Sequence, residues 1–235
     1  MAALTSREMR EVDRIAVEDT GPGLLQMMEN AGRSMAVLAI RRLRSVYPAG
    51  RAVILAGPGG NGGGGICAAR HLAPRLEEVE VCLSTPARRL SEAARTQLDL
   101  YLETGRKLVT VEDLFLRDPP DLIVDALIGY SLRGAPRGEA ARLIEWANGS
   151  PAAVVSLDVP SGLDPDTGDA PGAYVQPLAT LTLHMPKQGL LNPAAGQLYV
   201  ADLGIPAGVT SRIGVEPPVY GPAFVVPLER EPSTD

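Results

Sequence analysis

The chain has 235 residues, and 22 Lys and Arg against 28 Asp and Glu leave a formal net charge of -6. That balance excludes the basic footprint of a nucleic-acid-binding domain, and two cysteines without a CxxC spacing, with two histidines, exclude a disulfide scaffold, a zinc motif or a His-rich metal centre. No apolar run reaches the roughly 20 residues that span a bilayer, and the N-terminus lacks the apolar stretch of a secretory signal, so a cytoplasmic globular protein without a membrane partner is expected.

Thr5-x-x-Glu8 reads as a capping box, and Met9, Val12, Ile15 and Ala16 recur at helical spacing. Gly21-Pro22-Gly23 is a break before a second helix predicted over 24–43. Its Met27, Met28, Ala31, Met35 and Leu38 lie on one side and read as core. From residue 51 short apolar runs alternate with helical stretches. Strands are predicted over 52–56, 79–83, 107–111, 122–128, 152–157, 179–185 and 198–203, and helices near 63–72, 91–103 and 139–148. Continuous apolar runs suit strands buried on both faces, and the alternation predicts a parallel, doubly wound sheet. After about residue 150 the helices stop, so extra C-terminal strands are expected at one edge. Residues 215–235 carry five prolines and form a separate tail, expected to be non-helical and either extended on the body or disordered at its acidic end.

Gly57-Pro58-Gly59-Gly60-Asn61-Gly62-Gly63-Gly64-Gly65 follows the first predicted strand and precedes a helix. Glycine there lets the backbone turn sharply and approach a ligand closely, and free N–H groups at a helix start suit a phosphate. The alternative is a flexible surface turn. No Gly-Lys-Ser/Thr follows, which excludes a Walker-A loop. Gly57-x-Gly59-x-x-Gly62 matches the dinucleotide fingerprint, but the place for a ribose-binding acid holds Ser84-Thr85-Pro86, which disfavours an ordinary dehydrogenase.

Ligands of open α/β sheets sit beyond the carboxyl ends of strands. Asp125 and Asp158 each end a predicted strand beside small residues, although loops favour Asp for turn chemistry as well. Asn61, Asp125 and Ser161 would rise at one sheet edge if their strands are neighbours. Their oxygens are hard ligands, suited to a monovalent ion such as potassium and not to zinc. Asp158 is then the candidate acid–base group. Cys67 reads as a small buried hydrophobe, His71 as a residue at a helix C-terminus, and Lys187 as solvated, with contact to an anionic ligand as the alternative. Ser156 and Ser161 lack a hydrolase context.

Glu29-Asn30-Ala31-Gly32-Arg33, the 57–65 loop, Asp125-Ala126-Leu127-Ile128-Gly129, Ser156-Leu157-Asp158-Val159-Pro160-Ser161-Gly162, Thr182-Leu183-His184-Met185-Pro186-Lys187 and Asp202-Leu203-Gly204-Ile205-Pro206 follow in order. This series resembles the YjeF N-terminal domain family, the NAD(P)H-hydrate epimerases, to which apolipoprotein A-I-binding protein belongs. The resemblance covers about residues 5–207. It implies a Rossmann-like three-layer α/β/α sandwich with a mostly parallel sheet, over a domain of residues 1–214, commonly as a homodimer. It implies epimerisation of the R and S forms of hydrated NADH and NADPH at the nicotinamide C6 hydroxyl, with a separate NAD(P)H-hydrate dehydratase as functional partner. Potassium, one per subunit, would be held by Asn61, Asp125 and Ser161. The hydrated nucleotide would contact Gly60, Asn61, Gly62, Gly63 and Gly64, then Gly129, Tyr130, Ser131, Leu132, Arg133, Gly134 and Ala135, and Asp158 as the catalytic group. No fused dehydratase domain is expected in this chain.

The family's loop usually reads Gly-Pro-Gly-Asn-Asn-Gly-Gly-Asp-Gly, whereas this chain has Gly60 and Gly64 at the first Asn and the Asp. The backbone cradle is kept and two side-chain contacts are lost. That departure motivates the alternative, a non-catalytic nucleotide-binding or scaffold domain of the same fold.

Overall fold

The computed structural model describes residues 1–43 and 48–229. Eight strands form one sheet: β1 (Arg51–Ala56), β2 (Glu78–Leu83), β3 (Leu108–Val109), β4 (Leu122–Ala126), β5 (Ala153–Leu157), β6 (Ala179–Leu183), β7 (Gln197–Ala201) and β8 (Val225–Pro227). Their order is β3-β2-β1-β4-β5-β6-β7-β8, parallel except for β8, which pairs antiparallel with β7. The helices are α1 (Ser6–Arg14), α2 (Leu24–Arg42), α3 (Gly60–Leu72), α4 (Glu92–Leu102), α5 (Val111–Phe115), α6 (Glu139–Gly149) and α7 (Ala207–Arg212). Among the described residues no helix is long and apolar enough to cross a membrane.

The expected three-layer arrangement follows from strands that are apolar on both faces. In β1, Ile54 packs with Met35, Ile66 and Leu98 of α2, α3 and α4, whereas Val53 and Leu55 pack with Leu114, Leu143 and Ile144 of α5 and α6. Side chains alternate across a strand, so one run of apolar residues serves two cores. The chain leaves β1 toward one edge and β4 toward the other. The crevice between these two neighbours is therefore the topological switch point of the sheet, where ligands of such folds sit.

Local signals behave largely as read. Thr5 Oγ1 accepts from Glu8 N at 3.2 Å and Glu8 Oε2 accepts from Thr5 N at 2.7 Å, which completes the capping box. Three elements differ. The glycine run is the first turns of α3, which starts at Gly60 instead of residue 63. The strand predicted over 107–111 shortens to β3, because Thr110 accepts from Asp113 N at 3.1 Å and caps α5. A short helix, α7, follows β7, so helices do not cease after residue 150.

Within residues 215–229 the chain supplies β8 and Tyr220, whose hydroxyl donates to His184 O at 2.7 Å and lies 3.0 Å from His184 Nδ1. The acidic end of the expected tail, residues 230–235, lies outside the described residues. His184 is fully buried, and burial, with Lys187 adding to it, lowers its pKa to about 4. The folded protein therefore keeps His184 neutral where an unfolded chain would protonate it. Its contribution is present above the unfolded pKa and is lost as pH falls from about 6.5 toward 4. A proton taken up only by the unfolded chain costs up to about 1.36 kcal/mol for each pH step of one, and because the unfolded histidine is half protonated at pH 6.5 the loss between pH 6.5 and 5 is about 1.6 kcal/mol. Urea unfolding at the two pH values should give a drop larger by that amount in the wild type than in His184→Phe. Equal drops would remove His184 as the cause.

Candidate active site

A cleft of about 520 Å³ opens beyond the carboxyl ends of β1, β4 and β5. Its glycine wall comes from Gly59, Gly60 and Gly64, and from Gly129 on the segment after β4. Its apolar wall comes from Val17, Leu24, Met27 and Met28, so two methionines read as core also face the cleft. Its polar groups include Asp13, Asn61 and Asp158.

Close packing demands glycine at positions 57, 62 and 65, whereas at position 63 the nearest neighbour is the flexible end of Met28. A Cβ on Gly57 would lie 1.8 Å from Leu127 O, and one on Gly62 would lie 1.9 Å from Gly57 O. One on Gly63 would meet Met28 Sδ at 2.7 Å, and one on Gly65 would meet Ala126 Cβ at 2.4 Å. Gly60 and Gly64 differ. Nothing lies within 4 Å of a Cβ on Gly60, and a Cβ on Gly64 would meet only Leu157 Cδ2 at 3.0 Å and Ala31 Cβ at 4.0 Å. Of the two glycines that depart from the family's usual loop, Gly60 has room for a side chain, and Gly64 would need only the Leu157 side chain to shift. They widen the cleft without altering its frame. The first-turn N–H groups of α3 have no acceptors within the helix, and no side chain caps Gly59.

Asp125 sits in β4 with Leu55 and Ser156 as its cross-strand partners. It is fully buried and accepts from Ser156 Oγ at 2.8 Å, Ser161 N at 2.8 Å, Ser161 Oγ at 2.5 Å and Leu127 N at 3.3 Å. Burial pushes its pKa up, while the Ser161, Ser156 and Leu127 donors pull it down. Ser161 Oγ also accepts from Ile128 N at 2.8 Å. One residue further, a Cβ on Gly129 would lie 3.2 Å from Asn61 Cβ and 3.0 Å from Asp158 Oδ2. Asn61, Asp125, Asp158 and Ser161 therefore converge on the segment after β4, as their placement at strand ends predicts. Both side-chain polar atoms of Asn61 are buried without a protein partner. A buried amide left so is costly unless a ligand, ion or water meets it.

Asp158 follows β5 with φ +67, and His184 follows β6 with φ +62. Non-glycine residues in this region are uncommon, Asp and His being among the tolerant ones, and such strain concentrates at functional sites. Asp158 Oδ1 lies 2.5 Å from Lys187 Nζ, and Oδ2 accepts from Tyr130 N at 3.2 Å. Lys187 corrects the sequence reading. It is 0% exposed, not solvated, and Nζ also donates to Leu183 O at 3.1 Å and Thr182 Oγ1 at 3.3 Å. Its ammonium lies 5.8 Å from the centre of the Tyr130 ring. The reason is topological. Leu4 N donates to Pro186 O at 2.8 Å and Gln188 N to Leu4 O at 3.0 Å, which folds the loop after β6 inward under the N-terminal segment.

Not every expected contact residue faces the cleft. Gly62 and Gly63 are buried in α3 against Gly57 and Met28. Tyr130 and Ser131 line the cleft, whereas Leu132, Arg133, Gly134 and Ala135 lie outside its lining, exposed or half-buried. Cys67 is buried, and burial, then Glu29, pushes its pKa up to about 12, so it is no reactive thiolate. His71 ends α3 as expected, with Nε2 2.7 Å from Glu29 Oε1. Glu29 also pairs with Arg70, which locks α2 to α3 behind the cleft.

Asp13 escaped sequence reasoning. It sits on α1, whose first N–H, at Ser6, donates to Asp166 Oδ1 at 2.5 Å. Asp13 accepts from the Tyr130 hydroxyl. The only available signal was a polar residue next to Val12 and Ile15 on an otherwise amphipathic helix.

Comparison with known proteins gives concordant matches. A family profile described as YjeF-related protein N-terminus matches residues 24–189. An NAD(P)H-hydrate epimerase of Dehalogenimonas lykanthroporepellens is 49% identical over 214 residues, covering 91% of this chain and 86% of that protein. A bifunctional NAD(P)H-hydrate repair enzyme Nnr of Hyperthermus butylicus is 40% identical over 90% of this chain, which spans 40% of that relative's length. The crystal structure of the yeast protein ynu0 (YNL200c) superposes with a TM-score of 0.86 at 25% identity, covering 97% of this chain and 100% of the yeast chain.

Proposed function

The chain belongs to the family of YjeF-related protein N-termini, and from that membership together with the cleft we propose that it is an isomerase that interconverts the R and S forms of hydrated NADH and NADPH. The observation that carries this reading is the buried Asp158–Lys187 pair, 2.5 Å apart, at the wall of a cleft whose other side is the uncapped start of a helix. The first-turn N–H groups of α3 at Gly60 and Asn61 take the nucleotide's phosphates, since that end of a helix attracts anions. The apolar wall of Leu24, Met27 and Met28 takes the hydrated nicotinamide ring.

Asp158 moves the proton at the C6 hydroxyl. Lys187 and Tyr130 N hold its two oxygens in place, and the long 3.2 Å bond to Oδ2 leaves that atom free to accept. Gly129 keeps the backbone bare where the substrate passes between Asn61 and Asp158. A potassium ion, one per subunit, fits Asn61, Asp125 and Ser161: it would give the partnerless Asn61 Oδ1 a ligand role and replace the Ser161 hydroxyl hydrogen on Asp125. When bound, it supplies positive charge beside the nucleotide. The functional partner is a dehydratase, which fits the bifunctional repair enzymes among the relatives. A cytoplasmic homodimer, with the N-terminal helices as its interface, completes the proposal.

Asp158→Asn keeps the shape and removes the base. It is expected to lower the rate of R/S interconversion by at least about a hundredfold, the lower end of what a positioned acid–base group contributes. Turnover at the wild-type rate in Asp158→Asn would move the acid–base role to another group.

A further inference from the structure

The cleft contains two carboxyl groups in opposite surroundings. Asp158 faces a buried ammonium at 2.5 Å. Asp13, across Tyr130, makes no salt bridge among the described residues, and its side-chain partner is the Tyr130 phenol. Both carboxyls line the same cavity, as does Tyr130. We propose that Asp13 and Tyr130 form a hydrogen-bond donor arm of the cleft, set against the Asp158–Lys187 acceptor arm, and that Asp13 carries the hydrogen by which this arm grips an oxygen of the bound ligand.

A count of hydrogens supports this. A carboxylate and a phenol share one hydrogen, which their mutual bond consumes, so nothing is left to donate into the cleft. A carboxylic acid and a phenol hold two, so one remains for a ligand oxygen. The placement of Asp13 favours the second state: it is half-buried in the cavity wall it shares with Asp158, and among the described residues no cation pairs with it. Burial raises the pKa of Asp13, and the nearby Asp158 charge raises it further, while the Tyr130 hydroxyl and Lys187 pull it down without cancelling the rise. Arg10, on α1 itself, also faces the pair and acts on the Tyr130 hydroxyl. Two carboxyls in such unlike surroundings take opposite roles in many active sites, one as acceptor and one as donor.

The ligand oxygen that fits this arm is a neutral hydroxyl or carbonyl oxygen, because an anionic group beside the Asp158 carboxylate would meet repulsion. In the proposed reaction it is the oxygen on C6 of the hydrated nicotinamide or its neighbouring carboxamide. This inference rests on the epimerase reading, and the arm's own behaviour is separable from it.

The experiment measures R/S interconversion of hydrated NADH against pH for wild type, Asp13→Asn, Asp13→Ala and Tyr130→Phe, each checked for wild-type unfolding midpoint. Wild-type activity tests the epimerase reading itself: if the wild type does not interconvert the epimers, that reading fails. In that case the four proteins are titrated with NADH across the same pH range, and the arm is judged on binding. The wild-type kcat/KM is expected to fall as pH rises above the ordinary carboxylate range. In Asp13→Asn, whose amide donates at every pH, that fall should vanish. Asp13→Ala should lose tenfold or more in kcat/KM at the wild-type optimum. Tyr130→Phe should keep the pH-dependent fall, since Asp13 then donates directly. A fall of unchanged position in Asp13→Asn, or wild-type kcat/KM in Asp13→Ala, overturns the proposal; in the binding titration, NADH affinity with the same pH dependence in Asp13→Asn as in wild type does so.

Discussion

Lys187→Met should abolish R/S interconversion and lower the unfolding free energy by about 3–5 kcal/mol, the usual cost of leaving one member of a buried ion pair uncompensated. Lys187 Nζ has no solvent exposure, and its bonds go to Asp158 Oδ1, Leu183 O and Thr182 Oγ1. Methionine matches the length and keeps the apolar stem packed. What remains is a carboxylate at 3% exposure with no counter-charge, on a residue already held at φ +67. The double variant Lys187→Met with Asp158→Asn removes both charges. It should recover most of the lost stability, because replacing a buried pair by neutral groups is often close to neutral. It should not recover activity. Urea unfolding of the four proteins of this cycle measures the coupling, and additive losses would mean that the two side chains act independently.

The second large effect is expected at Gly62. Gly62→Ala places a methyl 1.9 Å from Gly57 O and 2.7 Å from Gly57 N, both backbone atoms that cannot step aside. To make room α3 must leave β1, so a loss of at least about 3 kcal/mol is expected, at the upper end for overpacking. Gly60→Ala is the control. It sits in the same first turn with nothing within 4 Å of its Cβ, and it should be neutral or stabilising by up to about 0.5 kcal/mol, since Ala loses less entropy in a helix. Thermal unfolding separates the two readily. Equal behaviour would show that the glycine run is not set by backbone packing.

The frame of this protein was legible because its strands are buried on both faces and read as plain apolar runs. Ala52 to Ala56 and Val154 to Leu157 could hardly be anything else. Asp125 and Asp158 stood out because each breaks such a run at its carboxyl end. The start of α3 was misplaced because glycine is a poor helix former, and only the contact with Gly57 and Met28 shows why the helix tolerates it. Lys187 was misread because burial of a lysine depends on a partner 29 positions away in sequence, which no local pattern displays. Asp13 was invisible for the same reason: its partner, Tyr130, is 117 positions distant. Residues that act in pairs across the fold leave no periodic trace.

The glycine departures at positions 60 and 64 look different in three dimensions. In sequence they read as lost contacts and raise the prospect of a binding domain without turnover. In the fold both line the cleft, Gly60 beside open space and Gly64 against the Leu157 side chain, while Asp125 stays bonded to Ser161 and Asp158 to Lys187. In the proposed reaction the acting side chains sit at strand ends, and the loop sets the width of the opening.

The central claim, that a nucleotide cleft with an Asp158–Lys187 pair epimerises hydrated nicotinamide nucleotides, is tested most directly by one time course. R-enriched hydrated NADH is mixed with the purified protein in potassium buffer, and the two epimers are followed by chromatography. The account predicts relaxation to the equilibrium R/S ratio at a rate proportional to protein concentration, far above the protein-free drift. A ratio that drifts only at the protein-free rate, with protein at high concentration and potassium present, would contradict it.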